Sequence, residues 1–186
     1  MVPVTSLWAP IFVAAVLVFV ASSILHMVLP YHRTDWARLP SEDEVMDALR
    51  RYKIPPGDYM LPCAGTPENL RSTEFIDKMK RGPVAVMTMM ESGPPAMGKS
   101  LAWWFVYTVA VSVFAGYVTG RALPSGADYM QVFRFAGTVA FCGYALALWQ
   151  NTIWYKRSVS ATLKSNFDGL VYALLTAGSF GWLWPR

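Results

Sequence analysis

Four long apolar runs and one polar stretch make up the chain. Trp8 to Leu29 is apolar apart from Ser22, Ser23 and His26, and about 20 such residues are enough to cross a bilayer core as a helix. Comparable runs follow at Leu101 to Gly120, Met130 to Ile153 and Phe167 to Trp184. The pattern predicts membrane spans at 7–29, 101–120, 130–153 and 167–184, with a polar insert at 30–100. No basic residue precedes Arg33 and no small-residue cleavage site follows the first run, so that run reads as a retained helix rather than a signal peptide. The fold class expected is mainly α: a multi-pass α-helical membrane protein of four transmembrane helices with a small α+β cytoplasmic insert between the first two.

Within the insert, shorter periods emerge. Ser41 and Glu44 have capping-box spacing, and Val45, Met46, Leu49 and Tyr52 share one helical face beyond them. Pro55-Pro56-Gly57 ends that helix, with Pro56 and Gly57 suited to the centre of a type II turn. DYMLP and PVAVMTMME read as short strands, and Ser72 is placed to cap a second helix, TEFIDKMKR, closed by Gly82 and Pro83. Two short strands are marginal alone in water, so the insert is expected to lean on the membrane helices or on a partner.

Composition agrees with the pattern: the chain is 54% hydrophobic and 15% charged, too apolar for an ordinary soluble domain. The net charge of +4 matters less than where it falls. Ten of the 16 Lys and Arg lie between Arg33 and Lys99, with Lys156, Arg157 and Lys164 in a later loop and only Arg121, Arg134 and Arg186 elsewhere. Basic loops stay on the cytoplasmic side, so both termini are expected outside. This distribution sets topology and does not suggest nucleic acid as a partner. The two cysteines, Cys63 and Cys142, fall in the insert and in a span and suggest neither a disulfide nor a metal framework.

Aromatic residues mark the span borders, among them Trp103, Trp104, Tyr129, Trp149, Trp154, Trp182 and Trp184. Small residues mark seams. Thr108, Ser112, Gly116 and Gly120 recur every fourth position, as do Gly169, Ala173, Ala177 and Gly181, and Ala136, Ala140, Gly143 and Ala147 supply a third set. Such stripes let helix backbones approach in lipid, so packed helices are expected rather than independent anchors.

The string GPPAMGKS, from Gly93 to Ser100, satisfies the phosphate-loop spacing. The helix that should follow such a loop is amphipathic, whereas the one here is apolar all round. No acid ending a further strand is available for magnesium. Gly98, Lys99 and Ser100 remain candidates for holding a lipid phosphate or other anion at the start of the second span.

Arg134 lies one turn inside the third span, with Gln131 and Thr138 on its face. A guanidinium there is either a functional group or one that snorkels to headgroups or pairs with Asp128. Asp168 opens the fourth span, where a carboxylate favours a helix N-terminus. His26, near the inner end of the first span, reads as an interfacial histidine or as a ligand or proton relay. Met87, Met89, Met90 and Met97, with Cys63 and the two histidines, raise a soft-metal reading, although methionines in such a pattern also serve as packing. No serine–histidine–aspartate order, carboxylate pair or Cys-x-x-Cys motif stands out, so no catalytic residue, metal ligand or cofactor is assigned.

The strings YHRTDWARLPSEDEVMDALR, IPPGDYMLP, RGPVAVMT and DGLVYALLTAGSFGWLWP resemble an uncharacterised family of small bacterial inner-membrane proteins. The resemblance implies a four-pass protein of the bacterial cytoplasmic membrane and carries no activity or site residue. The function expected is structural or accessory. The insert and the small-residue faces would bind another membrane protein or a second copy of the chain within the lipid bilayer. The alternative is a small transporter or channel subunit with a polar face around Arg134.

Overall fold

The computed structural model describes residues 1–94 and 96–186. Its elements run α1 (Trp8–Ser23), α2 (Glu42–Arg51), β1 (Gly57–Leu61), α3 (Thr73–Arg81), β2 (Ala85–Met89), α4 (Met97–Ala122), α5 (Tyr129–Tyr144), α6 (Trp149–Tyr155) and α7 (Val159–Trp182). They form two compact units, Met1–Trp36 with Ala96–Arg186, and Ala37–Pro95. Pro95, inside the GPPAMGKS string, lies outside the described residues.

The first unit is a four-helix bundle in which α1 packs on α4 and α7, and α5 packs on α4 and, most extensively, on α7. Among the described residues, three helical stretches are long and apolar enough to cross a membrane: Val4–Val28, Met97–Ala122 and Tyr129–Tyr155. Small side chains are turned inward. Ala14, Ala15, Thr108, Ser112, Ala115, Ala136, Ala140, Ala173 and Ala177 are buried, while Phe12, Leu17, Phe114, Tyr117, Phe135, Leu170 and Leu174 face out. Leu7, Val18, Val132 and Phe180 fill the interior between the small side chains, and small residues at the seams permit the close backbone approach that lipid rewards.

The close approaches are specific. A Cβ added to Gly169 would lie 2.7 Å from the Ala145 Cβ, and one on Gly120 would lie 2.4 Å from the Val2 carbonyl oxygen. That second contact exists because the N-terminal segment folds across the end of α4, where the Val2 amide donates to the Gly120 carbonyl at 2.8 Å. At the same end, the Trp184 indole N–H donates to the Pro124 carbonyl at 2.9 Å.

Two helices depart from the hydropathy pattern. The run expected as one helix over 130–153 is interrupted: α5 stops at Tyr144, a 3₁₀ turn covers Leu146–Leu148, and α6 resumes at Trp149. The break coincides with the contact of Ala145 on Gly169. The last helix starts at Val159, well before the apolar run at Phe167. Its polar first turns are held by α6, through Thr152 Oγ1 and Thr162 Oγ1 at 2.6 Å and through the Trp149 N–H donating to Asn166 Oδ1 at 3.1 Å.

The second unit pairs β1 with β2 antiparallel, with Tyr59 opposite Met87 and Leu61 opposite Ala85. Ser72 caps α3 by accepting from the Phe75 amide at 3.1 Å, as its position predicts. The capping box at Ser41 does not form. Ser41 sits in the left-handed region with φ 48° and makes no side-chain cap bond; separately, Arg38 pairs with Glu42 at 2.9 Å. Gly57 opens β1 rather than completing a turn.

The α5–α7 seam generates a prediction. A Cβ on Gly137 would lie 3.0 Å from the Ala177 Cβ, so Ala177→Leu must separate the helices, and overpacking of this kind costs about 1 to 3 kcal/mol. Leu174 faces outward. In detergent, Ala177→Leu should melt earlier than the parent while Leu174→Ala should not, with membrane levels of both variants confirming insertion.

Candidate functional site

The first apolar helix has to end where Pro30 withdraws a backbone donor and the sequence turns polar. Before it ends, the helix widens into a π turn over Ile24–Val28, and a 3₁₀ turn over Pro30–Thr34 follows. Insertions of this kind re-aim side chains and recur at functional sites. These turns direct His26, Tyr31, His32 and Asp35 toward the first half of α7, which presents Lys164 and Asp168.

Asp168 is buried, with 3% of its side chain exposed. A carboxylate taken out of water needs partners, and it has several. Tyr31 donates its phenol to Oδ1, and His32 Nε2 lies 2.8 Å from Oδ2. The other ring nitrogen of His32, Nδ1, lies 2.6 Å from Oδ2 of Asp35. With a carboxylate at each nitrogen, both can donate only when the ring carries both protons. Lys164 completes the network, its ammonium donating to Asp35 Oδ1 at 2.8 Å, to Thr34 Oγ1 at 2.7 Å and to the Tyr31 carbonyl at 2.6 Å. Two carboxylates thus face one ammonium and one imidazole, and these contacts lock the turn after α1 to α7.

The surroundings bias the ionisable groups of the turn. Burial opposes ionising Asp35, but the hydrogen bonds and charges of His32 and Lys164 outweigh it and hold the carboxyl below its usual range. Burial, together with the hydrogen bond to Asp168, pushes the Tyr31 phenol up.

His26 stands apart from this network. Its Nε2 is 3.7 Å from Asp168 Oδ2 and 3.4 Å from the Tyr172 hydroxyl, its ring lies over His32 with centroids 4.4 Å apart, and half of its side chain is exposed. With His32, Arg33, Asp35, Trp36, Arg157 and Ser165 it lines an open cleft of about 360 Å³. One ligand atom each from His26, His32 and Asp168 falls within a 4.8 Å group.

No family model, curated protein or solved structure matches the chain. Geometry therefore carries the functional reading.

The candidates singled out in the sequence lie elsewhere. Gly98, Lys99 and Ser100 are exposed in the first turn of α4. The strand upstream of them belongs to a two-stranded antiparallel sheet, not the parallel sheet that backs a phosphate loop. Gln131, Arg134 and Thr138 are exposed on the outer face of α5, and Asp128 caps that helix by accepting from the Met130 amide at 2.9 Å. Thr108, Ser112 and Ala177 are buried, with Gly116, Gly120, Gly169 and Ala173 beside them. Gly181 lies against the Tyr129 ring. The methionines of the soft-metal reading divide between the units, with Met87 and Met89 on β2 and Met97 opening α4. Asp168 is no helix-start residue, since α7 begins at Val159.

The sequence pattern places the two histidines beside the methionines and Cys63 and does not join them to Asp35, Lys164 and Asp168. A signal was present. The charge rule would put the end of the first apolar run and the start of the fourth on one side of a membrane, which would bring Asp168 to the level of His26, His32 and Asp35.

Removing Asp168 leaves His32 and Tyr31 facing an empty position, and breaking a buried pair costs about 3 to 5 kcal/mol. Asp168→Ala should therefore lower the thermal stability of the detergent-solubilised protein sharply. Arg38→Ala, which removes the exposed pair with Glu42, should leave the melting curve in place.

Proposed function

We propose that the chain is a four-pass protein of the bacterial inner membrane whose cytoplasmic insert binds another protein, in keeping with the family it resembles. One observation carries the partner reading: no described residue of the insert is buried, although it folds into two helices and a paired sheet. Val45, Met46 and Tyr52 of the first helical segment and Ile76 and Met79 of α3 stay exposed. A folded module that leaves such faces open has unused apolar surface, a mark of an interaction site.

The four-pass reading adds α7 to the three apolar stretches. Its second half, from Gly169, buries Tyr172, Ala173, Ala177 and Phe180 and turns Leu170, Leu174 and Trp182 outward. Its first half stands at the cytoplasmic surface, where the lock neutralises Lys164 and Asp168. The positive-inside distribution then leaves both termini outside. The transporter alternative gains less support, because the Arg134 face is turned outward and the break at Ala145 is closed against Gly169.

Topology is tested with an impermeant maleimide on intact cells. In a Cys63→Ser, Cys142→Ser background, Ser125→Cys should label, whereas Cys63 as the single cysteine should label only after lysis. The opposite pattern would invert the protein.

For the partner, a photocrosslinking residue at Met46 or Ile76 should yield one discrete protein adduct in membranes, and one at the exposed, polar Glu68 should not. Equal yields at all three positions, or adducts to lipid alone, would remove the partner reading.

A further inference from the structure

We propose that His26, His32 and Asp168 form a binding site for a divalent first-row transition-metal ion at the end of the bundle, with Asp35 orienting one ligand. The donor set is two imidazoles and a carboxylate, which suits zinc and its neighbours rather than calcium or magnesium. The three donors converge. His32 Nε2 and His26 Nε2 lie 2.8 Å and 3.7 Å from the same oxygen, Asp168 Oδ2. Ligands held at about 2.0 to 2.1 Å around a tetrahedral ion are separated by about 3.3 Å, and the two distances bracket that edge.

Three further features fit a ligand set better than an ion-pair network alone. Asp35 accepts from Nδ1 of His32 at 2.6 Å, the carboxylate–histidine arrangement that fixes a metal-binding imidazole with Nε2 forward. His26 contributes little to the network: its closest side-chain partner is a hydroxyl 3.4 Å away, long for a hydrogen bond. Yet the π turn aims it at the carboxylate that His32 binds. Finally, His26 and His32 line the open cleft, which gives an ion a way in and leaves one position for water.

Ligation uses the Nε2 lone pair of His32, so a proton held there leaves to solvent, while Nδ1–H stays on Asp35. Asp168 passes from accepting that proton to ligating the ion, while Tyr31 still donates to its other oxygen.

The test uses the full-length protein in detergent, without a polyhistidine tag and with Cys63 and Cys142 replaced by Ser, stripped with chelator and titrated with zinc alone. One zinc per chain should bind, and cobalt(II) in its place should give the visible bands of a tetrahedral site. His26→Ala should abolish stoichiometric binding while keeping the metal-free melting temperature, because His26 lies outside the lock. Asp35→Asn should weaken binding about 10- to 100-fold. No zinc bound by the parent, or zinc retained in His26→Ala, would overturn the site. The partner reading stands or falls separately, since Met46 and Ile76 lie in the unit Ala37–Pro95 and the metal ligands in the other unit.

Discussion

In a hydrocarbon solvent, apolar side chains gain nothing by choosing one another over acyl chains, so helices associate where their backbones can come close. That constraint organises the bundle. Gly120 admits the N-terminal segment, Gly169 admits Ala145, and Gly137 meets Ala177. Each contact depends on the absence or small size of a side chain, and larger buried residues such as Leu7, Val18, Val132 and Phe180 fill the interior between these close approaches.

Polar chemistry collects where the bundle stops being apolar. Lys164 and Asp168 fall on the early turns of α7, and burying either alone would be costly. The turn after α1 supplies Asp35 for the lysine and His32 for the aspartate, and His32 also joins the two carboxylates. Such a lock ties the ends of two helices that are far apart in sequence. It also brings His26 to the shared carboxylate, so that a structural device and a ligand set occupy the same place. A bound ion would strengthen the lock, because binding to the folded state alone stabilises it.

The insert obeys a different economy. Its helices have clear apolar faces and its sheet has only two strands, so it folds locally without enclosing a core. The same chain therefore contains one unit with a filled interior and another in which no described residue is buried, the contrast behind the proposed partner reading. The phosphate-loop string illustrates the limits of a motif without its scaffold. The residues are present, but an antiparallel pair precedes them and an apolar helix follows.

From the sequence alone came the three apolar stretches, the two strands and two helices of the insert, the cap at Ser72, and the small-residue stripes. These are local properties: hydropathy over twenty residues, a period of 3.6 or 2, or a single side chain reaching its neighbour's amide. Local rules also misplaced some features. The capping box at Ser41 is lost because Ser41 takes a left-handed backbone conformation and makes no side-chain cap bond. The third apolar run broke at Ala145, where a helix from another part of the chain allows close approach. The start of α7 moved back to Val159, because hydropathy marks where lipid begins and not where a helix does. The cluster of His26, His32, Asp35, Lys164 and Asp168 needed the tertiary structure. Its members are ordinary one by one, and their chemistry arises only when helix packing brings together groups 136 residues apart in the chain.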